Sequence, residues 1–138
     1  MDSIRNIFDV SARAMSAQMI RLNTTASNLA NANSVTTDPK DAFQPLRPVF
    51  ATEYAGKINQ TGIATVNVES VVQLNREPER KYLPDHPLAD EEGYVFQSSV
   101  NQEEEMVEMM EASRQYQNNL QVVSTLRSLM ARTMQMGK

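Results

Sequence analysis

Between Ser99 and Met136 the chain carries neither Pro nor Gly, and its apolar positions recur at helical spacing. Met106, Met109, Ser113, Tyr116, Leu120, Val123, Arg127, Met130 and Met134 lie alternately three and four apart, on one face of a helix. A helix over 99–136 would be a rod of about 57 Å, longer than the core of so short a chain needs. Beyond Asn119 a second row joins the first, formed by Val122, Leu126, Leu129 and Met136. One partner helix cannot cover both rows, and an apolar, Met-rich helix end of that width points to assembly.

The N-terminal arm shows the same period. Phe8, Ala12, Met15, Met19, Leu22, Ala26 and Leu29 are spaced regularly enough for a coiled-coil seam, with Ile4 one turn before them. Asp2 or Ser3 can cap its start. The opposite face is assigned Asp9, Arg13, Gln18, Arg21 and Thr25. Asn28, Asn31, Asn33 and Ser34 favour side-chain bonds that compete with the helix, so the helix is expected to end there. The alternative role for these asparagines is hydrogen bonding between helices.

The middle is built differently. It holds all six Pro and six of the eight aromatic residues, whereas all nine Met lie in the two arms. Residues 32–47 show no period, and Asp38-Pro39 is a turn signal. Strands are expected at Pro48–Tyr54, with Gly56 after it, and at Ile63–Leu74. In the second, Ala64, Val66, Val68, Val72 and Leu74 would share a face. Lys81–Leu83 is expected to pair with that strand, and Gly93–Gln97 to form another. The final helix has capping-box spacing at Ser99/Gln102 or Asn101/Glu104. Glu103, Glu104 and Glu105 lie where the helix dipole favours them, and Arg132 and Lys138 are at its other end. The expected fold is mainly α with a small β-rich insert: long N- and C-terminal helices in 1–34 and 99–138, paired like a coiled coil, and an irregular insert over 35–98.

Composition narrows the chemistry. A net charge of −4 argues against a general nucleic-acid binder. There is no Cys, hence no disulfide, thiol nucleophile or Cys-ligated zinc. No stretch reaches the length of a spanning helix. Arg5, Asp9 and Arg13 interrupt any apolar core of a secretory signal, so export would need another route. His86 is the only histidine, and it stands among Asp85, Asp90, Glu91 and Glu92. A surface loop explains it better than a metal site or a catalytic base, because convergent partners are missing. Glu103, Glu104, Glu105, Glu108 and Glu111 could be read as paired catalytic carboxylates, and 104, 108 and 111 share a helix face, but a solvated, dipole-favoured first turn accounts for them without catalysis. No glycine-rich phosphate loop exists. The reading is therefore of a non-enzyme with no cofactor, no metal and no small-molecule substrate.

Two motifs carry a resemblance. Ala26-Ser27-Asn28-Leu29-Ala30-Asn31-Ala32-Asn33-Ser34 resembles the first signature of the bacterial flagellar rod and hook axial proteins. Glu105-Met106-Val107, followed by Ala112-Ser113-Arg114-Gln115-Tyr116-Gln117-Asn118-Asn119, resembles their second. The block Pro87–Val95 is similar to that of the C-type proximal rod branch of the same family. The resemblance implies a structural subunit of the basal-body rod that spans the periplasm. Such subunits stack helically around the export channel and transmit torque in motility, with the terminal helices as the inner axial domain. It implies type III export without a cleaved signal, and as partners the chain itself, other rod proteins and the export apparatus. The expected assembly interface is Phe8, Met15, Leu22, Asn28, Leu29 and Asn31 on the first helix. On the second it is Met106, Tyr116, Leu120, Val123, Leu126, Leu129, Met130 and Met136. The alternatives are a rod or hook paralogue and, in a different class, a helical export chaperone or binding module.

Overall fold

The computed structural model describes residues 2–54 and 64–137. Two long helices hold the ends of the chain, α1 (Asp2–Ala30) and α2 (Gln102–Met136). Between them run β1 (Val35–Thr36), β2 (Leu46–Tyr54), β3 (Ala64–Gln73), β4 (Glu79–Tyr82) and β5 (Tyr94–Gln97). The mainly helical fold with a small sheet region is thus observed. The expected strand start at Ile63, and Gly56, lie outside the described residues.

α2 begins where Asn101 caps it, its side-chain oxygen accepting from the Glu104 N–H at 3.1 Å. Three glutamates then fill the first turn at the positive end of the dipole. At 35 residues the helix is about 52 Å long. The two helices pack antiparallel: Arg21 of α1 reaches Glu108 of α2, and further along α1 Asn28 reaches back to Glu105.

The face α1 turns to its surroundings within the chain is not the apolar row. Ser11, Thr25, Asn28 and Ala32 are buried, and Ala14, Gln18 and Arg21 on the same stripe are half-buried. Each of the positions from Ser11 to Asn28 precedes a member of the apolar row from Ala12 to Leu29. The buried stripe is that row turned by one residue, about 100° around the helix. Gln18, Arg21 and Thr25, assigned by the pattern to the outer face, therefore lie inward. Small side chains let the helices approach closely, and Ala112 of α2 is fully buried.

The region 32–47, aperiodic in sequence, is ordered. β1, β5 and β4 form a three-stranded antiparallel sheet in that order, with Val35 opposite Gln97 and Tyr82 opposite Tyr94. Lys81 and its neighbours accordingly pair with β5, not with the long strand β3. A short 3-10 turn at Pro39–Asp41 is capped by the Asp38 side chain. Gly93, at φ +83°, closes the connection from β4 to β5. A Cβ there would meet the Tyr82 ring at 2.9 Å and Pro84 at 3.1 Å, so the close approach needs glycine.

β2 and β3 form a separate antiparallel hairpin lying against α1. Its register shifts at Val49/Phe50: Val49 pairs with Ser70 and Phe50 with Val68, leaving Glu69 as the extra residue of a β-bulge. The bulge breaks the expected alternation. Ala64, Val66 and Val68 share a face with Val71, Pro48 and Phe50, whereas Val72 falls on the other face with Arg47 and Thr65.

Candidate assembly surface and its polar tie

The interior of the single chain is small. The buried apolar residues among those described are Ala17, Ala32, Ala42, Pro45, Val95 and Ala112, with no buried Leu, Ile, Met or Phe among them. The chain exposes 9802 Å², against about 7,200 Å² for a compact monomer of its mass. Most of the large apolar residues left exposed, ten of the seventeen among those described, lie on the two helices.

The residues expected at the interface fall in three groups. Phe8, Met15, Leu22 and Leu29 are half-buried, displaced from the buried stripe. Tyr116, Val123, Leu126 and Met130 are also half-buried. Met106, Leu120, Leu129 and Met136 are exposed, Met136 to 84%. From Ala131 to Gly137 every residue of α2 is exposed. Sequence reasoning missed Val107 and Met110, both 64% exposed beside Met106. Their adjacency to Met106 and Met109 in a run of apolar residues was the available signal. The hairpin adds Phe50, Val66 and Val71, exposed on its Val68 face.

Asn28 and Asn31 behave differently from each other. The Asn31 amide donates to the Ser27 carbonyl at 2.8 Å, a helix-terminating bond of the expected kind. Asn28 is fully buried and joins three elements. Its amide donates to the Leu46 carbonyl at 2.8 Å and to Glu105 Oε2 at 3.1 Å, and its Oδ1 accepts from the Leu46 N–H at 2.8 Å. The side chain thus mimics a strand partner for the first residue of β2. The interhelical role, one of the two readings for these asparagines, is the one Asn28 has.

Glu105, 1% exposed, is not a solvated first-turn acid. Its Oε1 is ion-paired with Arg47 Nη2 at 2.6 Å. That pairing raises the Arg47 pKa above its ordinary value, with burial opposing it and the nearby Glu104 and Glu108 adding to it. Beside it, Glu104 takes both Arg76 terminal nitrogens, at 3.1 and 3.3 Å. The Arg76 hydrogen bond above all, with the charges of Arg76 and Arg47, holds the Glu104 carboxyl below the usual range, against an opposing desolvation effect. Arg21 donates twice to Glu108 Oε2, at 2.9 and 2.6 Å. Glu111 is lowered chiefly by the Gln115 amide and then by Arg114. Arg47 and Arg76 were not singled out by sequence, because their partners are distant in the chain and no local pattern marks them.

None of this is catalytic geometry. The carboxylates are neutralised by arginine or amide donors. His86 sits in the β4–β5 connection with its Nδ1 accepting from the Leu88 N–H at 3.1 Å, a turn-building bond. Among the described residues no cluster of His, Asp and Glu could hold a metal, and no helix is long and apolar enough to cross a membrane.

Family comparisons agree with the two signatures. The model described as "Flagella basal body rod protein" matches residues 8–40, and "Flagellar basal body rod FlgEFG protein C-terminal" matches 91–136. Asn28 lies in the first match and Glu105 in the second, so the hydrogen bond between them joins the two. Flagellar basal-body rod protein FlgC of Salmonella typhimurium is 41% identical over 99% of both chains. FlgC of Escherichia coli O6:H1 is 40% identical over 99% of both, and that of Aquifex aeolicus 39% over the whole of both. Identity at this level over the full length shows that the chain belongs to the FlgC family of flagellar basal-body rod proteins, a structural rod subunit and not an enzyme.

Proposed function

We propose that the chain builds the proximal part of the periplasm-spanning rod by packing its helices against copies of itself and other rod proteins, and that the stack transmits torque. The observation that carries this reading is the inversion on α1. The small and polar stripe Ser11–Ala14–Gln18–Arg21–Thr25–Asn28 is turned inward, while Phe8, Met15, Leu22 and Leu29 remain partly open. Apolar rows that a chain does not cover itself are covered by neighbours. The coiled-coil-like seam suggested by those rows is then a seam between subunits. The inner axial unit is 1–34 with 99–138, and 35–98 lies outward. The interface comprises Phe8, Met15, Leu22, Leu29, Asn31, Met106, Tyr116, Leu120, Val123, Leu126, Leu129, Met130 and Met136, and the exposed Val107 and Met110 beside Met106 extend it. Asn28 shapes it from within.

Passage to the rod through the flagellar type III export apparatus fits this reading. A chain without Cys has no disulfide to oppose threading in an unfolded state. The test is truncation after Asn119, which removes the wide apolar end of α2. The truncated chain should stay soluble but fail to restore motility or rod formation in cells lacking the full-length protein. Restored motility would overturn the reading.

A further inference from the structure

The β2–β3 hairpin is fastened to α2 through two consecutive residues. Glu105 holds Arg47, the second residue of β2, at 2.6 Å, and Glu104 holds Arg76, just past the end of β3, at 3.1 Å. Arg47 also lies 3.5 Å from Glu104, so the two ion pairs are cross-linked. Asn28 of α1 fixes the same point by binding both backbone groups of Leu46.

The two strands are locked to each other at this base. The Gln44 amide donates to the Arg76 carbonyl and its oxygen accepts from the Arg76 N–H, both at 3.0 Å. The Leu74 N–H donates to the Pro45 carbonyl at 2.8 Å. Among the described residues, the polar ties between hairpin and helices gather here. Farther out, the hairpin lies against α1. Gln18 Oε1 on α1 and Thr65 Oγ1 on β3 are buried without a hydrogen-bond partner.

We propose that Glu104 and Glu105 are positioning residues that form a pivot for the hairpin. The hairpin is an arm hinged at Leu46–Arg47 and Arg76, and the two carboxylates set its angle to the helical pair. Opening the ion pairs frees the arm to swing while α1 and α2 stay together through Arg21–Glu108 and the buried small-residue stripe. The inference concerns the arm and not the helical interface, so it stands or fails separately from the assembly reading.

The chain has no Cys, so introduced cysteines are unique labelling sites. One spin-label pair, Asn67→Cys with Gln117→Cys, spans hairpin and α2. A second pair, Ser16→Cys with Asn118→Cys, spans the two helices. All four positions are exposed. In the otherwise unchanged full chain, pulsed electron resonance should give one narrow distance distribution for each pair. With Glu104→Gln and Glu105→Gln together, the hairpin pair should lose its single narrow peak and the helix pair should keep it. A hairpin distribution as narrow as before would overturn the proposal. So would equal broadening of both pairs, which would mean the carboxylates hold the whole fold. Should the double variant not fold, Arg76→Gln alters only exposed groups and leaves Glu105 paired. It should broaden the hairpin distribution with helical circular dichroism unchanged, and no broadening there would equally overturn the pivot.

Discussion

The amide of Asn28 donates to the buried carboxylate of Glu105 at 3.1 Å, linking residues 77 apart in the chain. The same amide holds the start of β2, and the same carboxylate holds Arg47. Two helices and the hairpin therefore meet at one hydrogen-bonded point. In a chain whose interior is largely alanine, the uniqueness of the packing rests on this polar tie more than on apolar volume.

Replacing Asn28 should show it. Asn28→Ala leaves the Leu46 N–H without its side-chain partner, while the Leu46 C=O keeps Arg47 Nη1 at 3.2 Å, so a loss of about 1–3 kcal/mol is expected. Asn28→Asp keeps the size and the acceptor, but it removes both donated bonds and sets a second negative charge against Glu105. It should be at least as destabilising as Asn28→Ala at neutral pH. Urea unfolding followed by helical circular dichroism measures both. An Asp variant as stable as the parent would contradict the donor assignment of the Asn28 amide.

Glu105→Ala tests the ion pair from the other side. Breaking a buried pair by removing one partner costs about 3–5 kcal/mol. Arg47 is 21% exposed and has Glu104 at 3.5 Å as a second partner, so the lower end of that range is expected. Asp9→Ala, which breaks only the exposed Arg13–Asp9 pair on α1, should be near neutral. Equal losses in the two variants, read from denaturant midpoints at equal slope, would count against a special role for Glu105.

How far the sequence reveals this arrangement differs by element. The long helices are legible because their 3.6-residue period runs uninterrupted for many turns, and of the two capping spacings, Ser99/Gln102 and Asn101/Glu104, the second marks the start of α2. The hairpin strands were legible from alternation, but the bulge at Glu69 was not, since one extra residue leaves no mark in composition. The facing stripe of α1 was misread for a physical reason. Two rows with the same 3-4 spacing lie one residue apart, and the larger, more apolar one draws the assignment to the core. In this chain that assumption fails. Ser11, Thr25 and Asn28 make the contact within the chain, while Phe8 and Leu22 stay partly open. The solvated first turn fails at Glu105 because its partner Arg47 is set by tertiary structure alone.

Acid should weaken the clamp in a defined direction. The Glu104 pKa is lowered in the folded chain from an ordinary 4.5, chiefly by the Arg76 hydrogen bond, with Arg47 adding to it. A lowered folded pKa means the contribution is fully present above the ordinary value and is lost as pH falls through the folded one. Stability conferred by Glu104 should thus hold at neutral pH and decline progressively below about 4.5. Glu104 is 43% exposed, so screening keeps the effect small and salt should reduce it further. Comparing the parent with Arg76→Gln across pH isolates it. The difference in stability between them should shrink below pH 4.5, and a difference that grew on acidification would reverse the sign argued here.

Assembly should depend on the open apolar rows and be indifferent to the loop histidine. Leu129 is 54% exposed and Met110 64%, so Leu129→Asp and Met110→Asp should leave the isolated chain as stable as the parent. Leu126 is only half-buried, and Leu126→Asp should cost little more. In an interface, however, an unpaired carboxylate must be desolvated against a neighbouring apolar surface, a cost of several kcal/mol per contact. Because each subunit in a stack repeats the lesion, the loss multiplies along the assembly. All three variants should therefore be poorly incorporated into rods and restore motility weakly, even though each unfolds at a normal denaturant concentration. His86→Ala removes one turn bond to the Leu88 N–H on the surface and should assemble normally. Motility complementation with thermal unfolding of each purified chain separates the two effects. Normal motility from Leu126→Asp, or an equal defect from His86→Ala, would remove the assignment of these rows to subunit contacts.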